Sequence, residues 1–228
     1  MTDEQFRYIE DYMLLCMKDS AHDRDHIYRV LYVALDIASY EEHVDYDVLI
    51  AACLLHDIGR EEQFLDPAVD HALAGGEKAY DFLRFNGWEE APAQHVKACI
   101  ETHRYRTDRL PQSLEAKIVY DADKIDATGT LGIARTISYR ADRAEPLYTL
   151  APDGTVSDGS ADSAPSFLQE YKFKLEKLYG KFYTKRAAAL MVPRQKSAAD
   201  FYRSMLAEIK SSYDPGRSLL REVLEAGP

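Results

Sequence analysis

Three short groups of residues in this 228-residue chain have the types and settings for metal chemistry: His26, the adjacent pair His56-Asp57, and Asp121-Ala122-Asp123. Each lies on or beside a strongly apolar segment. His26 shares a helical stripe with Val30 and Val33, four and seven residues on. His56-Asp57 follows the run Val48–Leu55, where a carboxylate must be paired or bound to a cation to be tolerated. On a helix, His56 and Asp57 diverge by roughly 100°, yet both reach an ion lying off the helix end. A third helix supplies Asp123 or Asp121. These two diverge by roughly 200°, so one ion takes one of them. Imidazole and carboxylate together suit Mn²⁺, Fe²⁺, Ni²⁺ or Zn²⁺, with Mg²⁺ as an alternative, and no cysteine accompanies them as in a closed structural zinc site. An incomplete protein shell leaves positions for water and substrate, and such an ion activates water and polarises a phosphoryl oxygen.

The elements that must position these groups are helical. A period near 3.6 runs through 3–19, 26–40, a segment from a cap at Asp45 or Asp47 to Gly59, 71–85, 91–103, 113–126 and 129–143. The segment ending at Gly59 is apolar nearly all round, which makes it the central buried helix. Residues 146–165 are polar and turn-rich and read as an exposed loop, with a short hairpin around Asp153-Gly154. Helical periodicity resumes over 167–183 and 184–212. The expected fold class is all-α: a helical core over 1–145, the loop 146–165, and C-terminal helices over 166–228 packed on the core as one structural domain.

Composition narrows the function. Hydrophobic residues make up 46% and charged residues 29%, as in a globular protein with a substantial core. The net charge of −11 argues against duplex nucleic acid or an anionic membrane as partner, but leaves small anions open to a local basic pocket. Cys16, Cys53 and Cys99 are far apart and odd in number, which reads as reduced thiols. No signal peptide or spanning segment is apparent, so the expected location is cytoplasmic. A homodimer is compatible with the sequence.

A lone His-Asp dipeptide recurs by chance; the signal is the ordered combination of HxxRV, an apolar run into HDIG, and DADxID. In that combination the chain resembles the HD superfamily of metal-dependent phosphohydrolases. The matching stretches are HDRDHIYRVLYVALDIA (22–38), LIAACLLHDIGR (49–60) and IVYDADKIDATGTLGIAR (118–135), with similarity to small bacterial members continuing into 171–195. The resemblance implies an HD-domain helical bundle with His26, His56, Asp57 and Asp123 as metal ligands. Asp123 is preferred to Asp121 because the family places its ligand in an A-D-K/R step. It also implies that Asp57 or Asp121 orients the attacking water. Substrate-binding candidates are His22, Arg60, His71, His103, Arg104, Lys124 and Arg194. Some branches of the superfamily bind a second ion through additional histidines. For His71 and His103 direct phosphate contact is the preferred expectation, because a single His stands at 103. The implied activity is hydrolysis of a phosphate ester or anhydride, with nucleotides as the substrate class and nucleoside triphosphate pyrophosphohydrolysis as one form. The alternatives are a non-catalytic metal- and nucleotide-binding module, and a di-iron oxygenase that needs His71 and His103 as ligands.

Overall fold

The computed structural model describes residues 1–17, 24–104 and 109–226; His22, Tyr105 and Arg106 lie outside the described residues. Among the described residues all extended regular structure is helical. The α-helices are α1 (Asp3–Cys16), α2 (Arg24–Ala38), α3 (Tyr46–Leu55), α4 (Arg60–Leu65), α5 (His71–Phe85), α6 (Glu90–Glu101), α7 (Leu114–Asp126), α8 (Gly129–Ala141), α9 (Phe167–Phe173) and α10 (Lys185–Ala226). A 3₁₀ turn, Leu175–Lys177, follows α9.

The chain divides into two compact units. One comprises 1–126 and 182–189, the other 127–181 and 190 onward. In the first unit α3 is the central element. Val48, Leu49, Ala51, Ala52, Cys53, Leu54 and Leu55 are all buried, as the all-round apolar run requires. The Asp45 carboxylate accepts from the backbone N–H groups of Asp47 and Val48 and so starts this helix. α2 turns Ile27, Val30, Leu31, Ala34 and Ile37 inward, and His26 is buried on that same face. The second unit has its own core of Ile133, Phe167, Leu168, Tyr171, Leu175, Ala198 and Tyr202.

Three local expectations change. α3 ends at Leu55, four residues before Gly59, so His56-Asp57-Ile58 forms a turn between α3 and α4. The helical stretch expected over 167–183 breaks after Phe173, and Lys181 takes a positive φ of 65°. The 146–165 segment holds one antiparallel bridge, Leu150 to Val156, around Gly154 at φ 80°. It is not a free loop, because Val156 is buried and the Phe167 and Leu168 N–H groups donate to the Pro146 and Leu147 carbonyls. His95 is half-buried with Nε2 3.2 Å from the buried Glu115 carboxylate. The three cysteines are free thiols, with Cys53 and Cys99 buried. No helix among the described residues is long and apolar enough to cross a membrane.

Candidate metal centre

The four imidazoles that gather in the first unit come from different elements. His26 stands on the first turn of α2, His56 caps the C-terminus of α3, His71 is the first residue of α5, and His103 follows α6. Their rings form a row, with centroids 5.3 Å apart for His26–His56, 5.1 Å for His56–His103 and 5.4 Å for His71–His103. All four are buried.

Asp57 lies between the two ends of this row. Its Oδ2 is 3.7 Å from the Nε2 atoms of both His26 and His56. Its Oδ1 is 3.4 Å from His71 Nε2 and 3.6 Å from His103 Nε2. Asp123, from the middle of α7, puts Oδ1 3.3 Å from His26 Nε2 and 4.0 Å from His56 Nε2. Two groups of potential ligands result, His26–His56–Asp123 and Asp57–His71–His103. Around a cation with bonds of roughly 2.1 Å, neighbouring ligand atoms lie roughly 3–3.5 Å apart, close to most of these separations.

The hydrogen bonds on the outer side of each ring decide what its inner side offers. His56 Nδ1 is 2.8 Å from the Cys53 carbonyl, His103 Nδ1 is 2.6 Å from the Ile100 carbonyl, and His71 Nδ1 is 2.7 Å from Gln63 Oε1. Carbonyl oxygens only accept, so Nδ1 carries the hydrogen and a neutral ring presents a lone pair at Nε2. The Nε2 atoms of His71 and His103 are buried without a hydrogen-bond partner. Unsatisfied buried acceptors directed at a carboxylate are unfavourable unless positive charge lies between them. The donor set therefore fits divalent cations.

The electrostatics agree. Burial would lower the His26 pKa, but Asp123 and Asp126 override it and hold it up at about 9. In the metal-free protein a proton thus brings positive charge to this position at neutral pH. Burial lowers His56 to about 4, and burial together with Arg60 lowers His71 to about 2. Asp57 stays well below the usual carboxylate range despite burial, with the Arg60 guanidinium foremost in stabilising its charge. Burial would likewise raise Asp123, but His26 holds it low.

Other residues singled out by sequence lie at varied places. Arg60 Nε is 2.9 Å from Asp57 Oδ1, and Arg104 is 3.1 Å from Asp70, the N-cap of α5. Lys124 is buried, with its ammonium 4.4 Å from the Phe182 ring centroid and 5.7 Å from that of Tyr120. The Asp121 carboxylate accepts from the Tyr183 and Thr184 N–H groups and the Thr184 hydroxyl at 2.8–3.1 Å, none of them part of the histidine cluster. Burial raises its pKa against these bonds. Arg194 belongs to the second unit, where its stem lies against Gly129. Sequence reasoning missed Gln63, Asp70 and Asp126. The available signal for Asp126 was its position three residues after Asp123, on the same helix face.

A family model described as the HD domain matches residues 24–128. Among solved structures, the chain is similar to a predicted HD superfamily hydrolase from an uncultured Thermotogales bacterium. That similarity is 31% identity over 89% of this chain and 91% of the other, with a TM-score of 0.60. It is also similar to Bacillus subtilis YpgQ in complex with ADP, with 25% identity over 90% of this chain and 95% of the other and a TM-score of 0.69. In direct sequence comparison the uncharacterized protein YpgQ of Bacillus subtilis strain 168 is 31% identical over 143 residues. That is 59% of this chain and 65% of YpgQ, so the match spans slightly under two thirds of that relative.

Proposed function

The chain belongs to the HD superfamily, and from that premise we propose that it is a metal-dependent phosphohydrolase acting on nucleotides. The observation that carries the reading is the division of Asp57 between two imidazole pairs, Oδ2 toward His26 and His56 and Oδ1 toward His71 and His103. His26, His56, Asp57 and Asp123 would hold the first cation. Asp57, His71 and His103 would hold a second. Direct phosphate contact from His71 or His103, the expectation from sequence, needs N–H at Nε2, whereas Gln63 and Ile100 keep the hydrogen on Nδ1. A cation is therefore the better match for those two rings. Mn²⁺ is the preferred ion, with Fe²⁺, Ni²⁺, Zn²⁺ and Mg²⁺ as alternatives for this oxygen and nitrogen donor set.

A divalent cation bound here supplies water activation and withdrawal of charge from a phosphoryl oxygen. The protein's own groups supply the rest. Asp57 orients the attacking water, a role that suits it better than Asp121, whose carboxylate is engaged by residues 183 and 184. Arg60 and Arg104 have side chains 33% and 27% exposed, so solvent reaches guanidinium groups of the geometry that matches phosphate oxygens. Lys124, proposed from sequence as a phosphate contact, instead carries its charge beside Asp121 and the Phe182 ring. The ADP in YpgQ supports a nucleotide substrate, and pyrophosphohydrolysis of a nucleoside triphosphate is the form we propose. The guanidinium groups and that nucleotide favour phosphate chemistry over a di-iron oxygenase.

The test is a panel of nucleotides and phosphate esters screened with each divalent metal, with products identified. Nucleoside monophosphate and pyrophosphate are expected from triphosphates. H56A and D57A should lose at least about 10³-fold in turnover while remaining folded, if metal activation supplies several kcal/mol to the transition state. Tight ADP binding without turnover across the panel would identify a non-catalytic module instead. Oxygen consumption by the iron-loaded protein would point to the oxygenase.

A further inference from the structure

We infer that Asp126 is a positioning residue for the first cation, holding the His26 ring so that Nε2 faces the cluster, with Arg29 in turn holding Asp126. The inference rests on the metal-dependent reading of the same site.

The geometry is an interlock between two helices. On α2, His26 and Arg29 are three residues apart. On α7, Asp123 and Asp126 have the same spacing. The His26 ring is gripped at both nitrogens. Asp126 Oδ2 is 2.7 Å from Nδ1, and Asp123 Oδ1 is 3.3 Å from Nε2. Arg29 reaches the outer side of the same Asp126 carboxylate, with Nε 2.7 Å from Oδ1 and Nη2 3.2 Å from Oδ2. Asp126 is buried, so this guanidinium offsets a charge that would otherwise be unfavourable there.

The other three rings lack this arrangement. His56, His71 and His103 each direct Nδ1 at a neutral carbonyl oxygen, whereas His26 meets an ionised carboxylate. A hydrogen bond to an ionised acceptor is shorter and stronger, and it raises the electron density at the opposite ring nitrogen. Asp126 therefore restricts ring rotation and makes His26 a stronger donor than a carbonyl partner would.

The experiment is Mn²⁺ binding to the full chain, followed by the paramagnetic resonance signal of free Mn²⁺, alongside thermal unfolding of the metal-free protein. D126A should weaken the first ion by about 10–100-fold. D126N, which keeps the shape and one acceptor oxygen, should weaken it by a smaller factor. In the H26A background, removing Asp126 should cause no further loss, because its effect passes through that ring. A purely structural role predicts a lower unfolding temperature and unchanged Mn²⁺ affinity of the folded protein. That pattern, or unchanged affinity in D126N should D126A fail to fold, would overturn the inference. A wild-type chain that binds no Mn²⁺ would remove the metal-dependent reading and this role together, whereas normal wild-type binding with an unaffected D126N removes the role alone.

Discussion

His26, His56 and His71 differ in what they give up when a cation arrives. His26, held at about 9, is protonated at pH 7, whereas His56 at about 4 and His71 at about 2 are neutral. Mn²⁺ binding at pH 7 should therefore release about one proton from His26, seen as a calorimetric enthalpy that varies with the ionisation heat of the buffer. Affinity for the first ion should rise about tenfold per pH unit from 7 toward 9 and then level off; a flat profile would contradict the assignment of the proton to His26. The same shifts set the stability of the metal-free protein. The raised pKa of His26 contributes stability fully present below the unfolded value of 6.5 and lost as pH rises through 9. The lowered pKa values of His56 and His71 contribute stability present above 6.5 and lost as pH falls through 4 and below. As far as these rings decide, metal-free stability peaks near pH 6.5, which denaturant titrations across pH would reveal.

The turn between α3 and α4 brings candidate ligands from separate helices to one place. A Cβ on Gly59 would lie 2.2 Å from the His71 carbonyl oxygen and 2.5 Å from the Gly75 nitrogen, so the chain after Asp57 runs directly against the first turn of α5. G59A should push α5 away, lower stability by about 1–3 kcal/mol and weaken the second ion more than the first, measured by unfolding and by metal stoichiometry. On α7, alternate residues divide the work. Asp123 faces the cluster, while Asp121, roughly 200° round the helix, ties down the backbone just before α10. D121A would leave the Tyr183 and Thr184 N–H groups without their carboxylate acceptor. It should destabilise the chain by about 2–4 kcal/mol while the folded protein keeps its Mn²⁺ affinity. Full stability with loss of turnover would return Asp121 to a direct part in the reaction.

At the scale of the whole molecule, an acidic chain of net charge −11 brings Asp57, Asp123 and Asp126 together around His26. Cations that bind the folded state and not the unfolded chain stabilise it by mass action. At a hundred times the dissociation constant the gain is about 2.7 kcal/mol per ion, or roughly 5–10 °C in midpoint for a protein of this size. Scanning calorimetry with Mn²⁺ and with a chelator measures it, and an unchanged midpoint would argue against binding in the folded core. The all-helical character and the burial of α3 were legible from sequence, while the candidate set His26, His56, Asp57 and Asp123 came from the ordered motifs and the family resemblance, which alone preferred Asp123 to Asp121. Periodicity and the presence of polar side chains on apolar faces are local properties of the chain. Local pattern alone carried the α3 prediction on to Gly59 and ran one helix through 167–183, because it does not register the backbone reversals at His56–Ile58 and Lys181. The tertiary structure decided which oxygen of Asp57 meets which imidazole pair and which side of each ring is fixed. It also decided that Asp126 grips a histidine one hundred residues away while Asp121 serves a different segment. Those outcomes depend on how helices cross and rotate against one another, and no spacing along a single helix contains that angle.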